Sequence, residues 1–201
     1  MQLLMSGPSP FVRKVLVLLH ETGQTDAVGT VQVTAAVGGT EAQLAAANPL
    51  GKIPALMRDE GPTLYDSRVI CRFFDDRAGA GLYRPQNTWE TLVLEATADG
   101  IMEAAVLMVY EIRFRGDEGK NAAWLEGQWE KVARGLDALN ARWMAHLNGP
   151  LDIGQIGVGA ALGYLDLRHE DRNWRTGRNA LAAWYERFAE RPSMQATIPE
   201  G

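Results

Sequence analysis

The residues best suited to chemistry lie between Asn48 and Ser67, in the sequence N-P-L-G-K-I-P-A-L followed shortly by T-L-Y-D-S. This pattern predicts a short apolar strand opened by Pro54, a turn near Gly61, and a helix that begins at Asp66-Ser67. The proline holds the backbone exposed at the strand end. The amino end of a helix favours an anion because its first N–H groups lack helical partners. The two features side by side suit a small peptide that carries a carboxylate.

The first part of the chain must supply the elements that position these residues. Apolar and β-branched runs predict short strands at 2–5, 30–33, 54–57 and 62–65. Helical spacing or alanine enrichment predicts helices from Pro10 to the C-cap Gly23, over 41–47 and over 67–77. Ser9 fits the N-cap of the first helix. The order strand–helix–strand–helix–strand–strand–helix predicts a small mixed sheet with helices packed against it.

Glycine and proline cluster at 78–86, which predicts a linker, and everything after it has helical periodicity. The predicted helices are 88–115, closed by Gly116, then 119–147, 152–168 and 177–190. Asp152 and Gln155 fit the N-cap and N3 positions of a capping box, and we predict a structural role for them. The chain is therefore predicted to be α+β, with domains at 1–77 and 86–201.

Composition and charge narrow the classes of partner. The 201 residues are 46% hydrophobic and 22% charged, with a net charge of −5, which argues against a nucleic-acid or anionic-membrane surface. No apolar run reaches the ~18 residues of a membrane span, and the amino end does not resemble a signal peptide. The single Cys71 implies no internal disulfide. We expect a cytoplasmic protein without a metal, because the three histidines lack ligand spacing, and we expect those histidines at the surface, at positions 20, 146 and 169.

Four motifs, in this order, make the chain resemble the glutathione S-transferase superfamily over essentially its whole length. They are S-G-P-S-P-F-V-R-K-V at 6–15, N-P-L-G-K-I-P-A-L at 48–56, L-Y-D-S at 64–67 and I-G-Q-I-G-V-G-A-A-L-G-Y-L-D at 153–166. The resemblance implies a thioredoxin-like domain (βαβαββα) that binds glutathione. It also implies an all-helical domain that contributes the site for a small hydrophobic electrophile, and a homodimer.

The resemblance assigns glutathione-binding roles to five residues. It implies a cis Pro54, which frees the backbone N–H and C=O of Ile53 for the cysteinyl unit; the alternative is a proline that merely opens an edge strand. Asp66 and Ser67 would hold the γ-glutamyl unit, or else only cap the helix. Lys52 would meet the glycyl carboxylate, or else be a solvated surface lysine.

The thiolate-stabilising residue is harder to assign. The first turn contains neither a tyrosine nor a cysteine, so two mechanisms of the superfamily lack their residue. Ser6 and Ser9 remain. The resemblance of S-G-P-S to the serine-type turn of theta-like and zeta-like enzymes favours Ser6, because Ser9 is expected to serve as an N-cap. Backbone N–H groups are the third possibility.

The helical half offers Met102, Val106 and Val109 as a wall for the electrophile, and bundle core is the alternative role for them. Asp99 is a candidate for contact with glutathione across a dimer interface. The leading prediction is a glutathione transferase with a role in detoxification. The alternatives are a glutathione-dependent isomerase, dehalogenase or peroxidase, and a glutathione-fold binding module without catalysis.

Overall fold

The computed structural model describes residues 1–36 and 39–199 and has the predicted α+β architecture. Its contacts group the described chain into two compact units. The first comprises residues 1–86 together with 192–199, and the second comprises residues 87–191. A small sheet with helices makes up the first unit, and the second is entirely helical.

The sheet of the first unit has three strands in the order β2-β1-β3. The strands are β1 (Gln2–Met5), β2 (Gly29–Gln32) and β3 (Ala55–Met57). The central strand β1 runs parallel to β2 and antiparallel to β3. Leu3 and Leu4 of β1 are fully buried, so the middle of the sheet lies in the core of this unit.

The fourth predicted strand, over 62–65, is reduced to one bridged pair. Leu56 and Leu64 exchange both backbone hydrogen bonds, each at 2.9 Å. Pro62 has no N–H to donate, and the N-cap of the next helix follows at Asp66. Only Leu64 is therefore left to pair with the sheet.

Three helices of this unit follow the predicted order: α1 (Pro10–Glu21), α2 (Ala42–Ala47) and α3 (Ser67–Ala78). Ser9 caps α1 as predicted, because its side-chain oxygen accepts from the N–H of Val12 at 3.3 Å. Asp66 caps α3 by accepting from the N–H of Arg68. Gly79 ends α3 in the left-handed conformation, with φ of 62°.

The second unit contains α4 (Thr88–Gly119), α5 (Ala122–Arg142), α6 (Met144–Leu147), α7 (Ile153–Arg168) and α8 (Asn179–Ala189). Helix α4 breaks at Gly116 (φ 66°, ψ −178°), where the sequence predicted its end, but one more turn follows. The helix predicted over 119–147 is divided in two, because Trp143 (φ −108°, ψ 0°) leaves regular helical geometry.

The short helix α9 (Pro192–Gln195) packs on α1 in the first unit. The guanidinium of Arg13 donates to the Met194 carbonyl at 3.1 Å, and the Ser193 hydroxyl donates to Glu21. The second unit ends at residue 191, so it stops short of the carboxyl end of the helical domain predicted over 86–201. Residues 200 and 201 of that range lie outside the described residues.

Helix α7 forms the core of the second unit, with every residue from Ile153 to Leu165 buried. The predicted capping box is present. The Gln155 N–H donates to Asp152 Oδ1 at 3.1 Å, and Gln155 Oε1 accepts from the Asp152 N–H at 3.0 Å. The buried Asp152 carboxylate also accepts from Thr91 Oγ1 at 3.0 Å and from His146 Nε2 at 2.6 Å.

The expectation that the histidines lie at the surface is wrong for two of the three. His169 is only 4% exposed, and its Nε2–H donates to the Ala105 carbonyl at 3.0 Å. His146 is half-buried because it packs against Asp152. Both side chains have hydrogen-bond partners inside the helical unit, which the spacing of histidines along the chain does not reveal.

None of the helices within residues 1–36 and 39–199 is both long enough and apolar enough to cross a membrane.

Candidate functional site

The register of the sheet brings the predicted site residues of the first unit to one edge. Leu4 pairs with Ala55, so continuing this antiparallel register by two residues sets Ser6 opposite Ile53. Leu56 pairs with Leu64, and the same continuation sets Pro54 opposite Asp66. Three segments that are far apart in sequence therefore end at the same edge of the sheet.

The strand end at Ile53 carries unsatisfied backbone groups. The Ile53–Pro54 peptide bond is cis, as the resemblance implies. Pro54 is buried, and the Ile53 side chain packs against a cluster that includes Leu4 and Leu44. Within the described part of the chain, neither the N–H nor the C=O of Ile53 has a hydrogen-bond partner. This backbone can pair with an extended peptide, as an edge strand does.

Asn48, which has no role in the sequence-based prediction, holds the loop before this strand end. Its side chain is 2% exposed, donates to the Lys52 carbonyl at 2.7 Å, and accepts from the Leu50 N–H at 3.0 Å. The Asn-Pro pair, a common turn signal, could have identified it. Lys52 itself is exposed, so its ammonium is available to a ligand carboxylate or to solvent.

The amino end of α3 places Ser67 at the same edge. Ser67 is 2% exposed, yet its hydroxyl has no hydrogen-bond partner among the residues described. It lies in the first turn of the helix, where backbone N–H groups lack helical partners and the helix dipole is positive. This hydroxyl and the helix end together can bind a carboxylate.

Asp66 remains ionised at this helix end. Partial burial alone would raise the pKa of Asp66. The hydrogen bonds and positive charge of Arg68, together with the charge of Lys14, have a larger combined effect, so the pKa of Asp66 is lowered. The guanidinium of Arg68 lies 2.8 Å from the carboxylate. The Tyr65–Asp66 peptide bond is also cis. Arg68 has no role in the sequence-based prediction, although an arginine two residues after a helix-capping aspartate is a visible signal.

The two serines of the first turn differ in their hydrogen bonds. The side-chain oxygen of Ser9 accepts from Val12, as its capping role requires. The half-buried Ser6 accepts from the Ser9 N–H through its backbone carbonyl at 3.1 Å, and no residue within 1–36 and 39–199 bonds its hydroxyl. The Ser6 hydroxyl is therefore free to donate to a ligand.

The predicted electrophile wall lies on α4 of the second unit. Met102 is fully buried, which suits the bundle core, whereas Val106 and Val109 are half-buried. Asp99, also on α4, is half-buried. As for metals, the described residues include no group of three or more His, Cys, Asp or Glu side chains placed to hold an ion.

Known proteins match both parts of the chain. The family model for the glutathione S-transferase N-terminal domain matches residues 8–77, and the model for the C-terminal domain matches residues 122–187. An uncharacterized GST-like protein of Escherichia coli (strain K12), YibF, is 32% identical over 99% of this chain and 98% of its own length.

Two crystal structures of a glutathione transferase family member from Pseudomonas fluorescens Pf-5 are also similar. One, with bound glutathione, has 46% identity and a TM-score of 0.96 and covers 100% of this chain and 99% of its own. The other, with bound S-(propanoic acid)-glutathione, has 45% identity, a TM-score of 0.90 and full coverage of both chains. This chain therefore belongs to the glutathione S-transferase superfamily, and its fold is the one the sequence resemblance implied.

Proposed function

We propose that this protein is a glutathione transferase of the serine type, which stabilises the thiolate of glutathione and conjugates it to a small electrophile. One observation carries the proposal. Continued beyond the observed pairs, the strand registers set Ser6, whose hydroxyl is free, opposite the unpaired backbone of Ile53, and set Pro54 opposite Asp66, the residue before the buried Ser67. The binding of glutathione and of S-(propanoic acid)-glutathione by the Pseudomonas relative supports it.

Each part of glutathione has a complementary group at this edge. The N–H and C=O of Ile53 pair with the cysteinyl unit. The γ-glutamyl carboxylate binds the amino end of α3 and the Ser67 hydroxyl, because unsatisfied N–H groups and the helix dipole favour an anion there. The ionised Asp66 receives the α-ammonium, and Lys52 meets the glycyl carboxylate.

The chemical step requires a thiolate at neutral pH. A free thiol has a pKa of about 8.5 and is mostly protonated, so a donor that bonds the thiolate shifts the equilibrium toward the nucleophile. In our proposal the Ser6 hydroxyl is that donor. The thiolate sulfur then forms a bond to an electrophilic carbon, which gives up a leaving group or a π bond as it accepts the electron pair. The protein acts as a cytoplasmic homodimer in detoxification.

Calorimetry with glutathione tests the binding role. We expect binding by the wild-type protein and at least tenfold weaker binding by Ser67→Ala, because the carboxylate loses a hydroxyl partner. Ser6→Ala should keep most of the affinity and raise the pKa of the bound thiol. A wild-type protein without affinity for glutathione would overturn the proposal.

Turnover of a chlorodinitrobenzene tests the thiolate role. We expect Ser6→Ala to reduce kcat/KM at least tenfold with an unchanged circular dichroism spectrum. Undiminished turnover by Ser6→Ala would remove Ser6 from the mechanism and leave Ser9 or the backbone N–H groups as donors.

A further inference from the structure

The second unit contains a polar surface cavity between the turn that joins α6 to α7 and the carboxyl-terminal half of α8. Its volume is about 210 Å³, and it is open to solvent. The described residues that line it all lie between 147 and 191, so they belong to the second unit alone. The residues proposed to bind glutathione belong to the first unit, and the cavity is therefore formed by different residues.

Hydrogen bonds hold both walls of the cavity in place. The indole N–H of Trp184 donates to the Leu147 carbonyl at 2.7 Å, and the Arg187 guanidinium donates to Asn148 Oδ1 at 3.0 Å. These two bonds fasten the turn to α8. The side-chain amide of Gln155 also donates to the Gly149 carbonyl of the turn at 3.2 Å. The protein thus forms this cavity with its own contacts.

Arg187 brings an uncompensated positive charge to the cavity. Its side chain is exposed, and its acceptors, Asn148 Oδ1 and the Ala183 carbonyl, are neutral. No carboxylate in the described ranges forms an ion pair with it. A nearby arginine of the same unit does have such a partner, since the Arg178 guanidinium lies 2.8 Å from Asp137. Arg187 is therefore able to pair with an anion from solution.

The hydrogen bonds of Arg187 also prepare its guanidinium for a ligand. They fix the position of the group, so less side-chain entropy is lost when an anion binds. The N–H groups that these bonds do not use remain as donors. The planar guanidinium presents such donors in a fork that matches two oxygens of a phosphate group.

A second guanidinium lines the same cavity. The guanidinium carbon of Arg191 lies 5.6 Å from the ring centroid of Phe188, which in turn stacks on Trp184 at 4.7 Å. Both rings are nearly buried, so they support the cavity and offer little surface to an aromatic ligand. Among the described lining residues none is Asp or Glu. The positive charge and the small apolar surface favour a compact anion.

We propose that this cavity binds a phosphate group, with the guanidinium of Arg187 on two of its oxygens and that of Arg191 beside it. Phosphate esters carry more than one negative charge at neutral pH, so they gain more than a monovalent carboxylate does from two cationic neighbours. The cavity has the volume of about seven water molecules, which is room for the group and a few further atoms. Inorganic phosphate and small phosphate monoesters share this group.

The site does not depend on the proposed function. A ligand that binds only the folded protein stabilises it by mass action, so phosphate at this cavity should raise the melting temperature. A purely structural role for Arg187, as a clamp between α8 and the turn, predicts a different result. In that case the arginine would affect stability equally with and without phosphate.

Calorimetry with inorganic phosphate, at an ionic strength held constant with sodium chloride, tests the proposal. We expect the wild-type protein to bind, and Arg187→Ala to bind at least tenfold more weakly because charge-assisted hydrogen bonds are lost. Arg187→Gln, whose amide can still donate to Asn148, should lose affinity to the same extent, whereas Arg187→Lys should retain part of it. The matched control Arg142→Ala removes an exposed arginine of α5 that does not line the cavity, and it should bind like the wild type.

Two further ligands define the class of anion and its source. Acetate, a monovalent carboxylate, should bind the wild-type protein at least tenfold more weakly than phosphate does. Phenyl phosphate distinguishes the sources of the group. Binding as tight as that of inorganic phosphate would assign the site to a monoester, and much weaker binding would assign it to the free ion.

Thermal unfolding at the same constant ionic strength separates binding from a structural role. Phosphate should raise the melting temperature of the wild type and of Arg142→Ala, and it should leave that of Arg187→Gln unchanged. An equal rise in the wild type and in Arg187→Gln would reduce the arginine to a clamp and overturn the proposal.

Three calorimetric results would also overturn it. The first is a wild-type protein that binds no phosphate. The second is an affinity that Arg187→Ala and Arg187→Gln leave unchanged, which would place the anion elsewhere, for example at the amino end of α3. The third is acetate that binds as tightly as phosphate, which would refute the class of ligand. None of these results bears on glutathione, whose binding is measured separately.

Discussion

At the residue scale, the two serines of the first turn should be separable by experiment. Ser9 accepts a backbone hydrogen bond at the start of α1, whereas the Ser6 hydroxyl is free for a ligand. We expect Ser9→Ala to lower the free energy of unfolding by about 1 kcal/mol, the usual effect of removing an N-cap. Its turnover below the melting temperature should remain within about twofold of the wild-type value, as a factor-of-two change is under 0.5 kcal/mol. Urea unfolding and chlorodinitrobenzene turnover measure the two effects; lost turnover with unchanged stability would give the thiolate role to Ser9.

His169 should make the stability of the protein depend on pH. Burial lowers its pKa from the ordinary 6.5, and the hydrogen bond to Ala105 only partly opposes this. In the unfolded chain, therefore, this histidine binds a proton at a higher pH than in the folded protein. As the pH falls below about 6.5 the unfolded state gains protons first, so the free energy of unfolding decreases until the folded pKa is reached.

The corresponding experiment is urea unfolding at pH 7.5 and pH 5.5. We expect His169→Gln, whose amide can still donate to Ala105, to lose less stability between these two pH values than the wild-type protein does. An identical pH dependence in His169→Gln and the wild type would contradict the argument.

At the scale of elements, the cap of α7 has more partners than an ordinary helix cap. Asp152 accepts from the Gln155 N–H, from Thr91 and from His146, and it is almost fully buried. We expect Asp152→Ala to lower the free energy of unfolding by about 3 kcal/mol, from the lost cap and the partners left unpaired. The exposed N-cap of α5 is a matched comparison, where Asn121→Ala should cost about 1 kcal/mol. If both variants lose the same free energy of unfolding in denaturant, the hydrogen bonds from Thr91 and His146 to Asp152 add no stability.

The close packing of α4 and α7 depends on a glycine. A Cβ atom at Gly154 would lie 2.8 Å from the Leu94 side chain, closer than van der Waals contact allows. We expect Gly154→Ala to lower the free energy of unfolding by about 1–3 kcal/mol through overpacking. In Gly127→Ala on α5, a Cβ would meet nothing within 4 Å, so the better helix former should raise stability by up to about 1 kcal/mol. Thermal unfolding of both variants tests the contrast, and a stabilised Gly154→Ala would refute it.

The elements also show what the sequence could predict. Local chemistry predicted the Ser9 cap and the Asp152–Gln155 box, the family resemblance implied the cis Pro54, and each is present. Features that depend on distant partners were missed. The segment over 62–65 has the composition of a strand, but only its Leu64 pairs with the sheet, through Leu56. His169 is buried, and its partner is the Ala105 carbonyl on α4. Likewise, the position of Ser6 opposite Ile53 is obtained only by continuing the strand register, which spacing along the chain does not contain.

At the scale of the whole molecule, the proposed homodimer can be tested on exposed apolar side chains. Trp89 is 77% exposed and Val93 is 53% exposed, one turn apart on α4. Large exposed apolar side chains of this kind often mark an interface. We expect the wild-type protein to sediment as a dimer and Trp89→Glu to raise the dissociation constant at least tenfold. Trp124→Glu, at another exposed tryptophan, is the control; a dimer unaffected by Trp89→Glu would place the interface elsewhere.

The packing of Pro192–Gln195 on α1 has a consequence for how the protein is made. Residues 192–199 belong to the first unit but follow the entire second unit in the sequence. The second unit is therefore an insertion within the first. On the ribosome, residues 1–86 emerge early but cannot complete their packing until residues 192–199 have left the exit tunnel. The helical unit, whose residues are contiguous, can finish folding first, which reverses the usual order in which amino-terminal domains fold before those that follow.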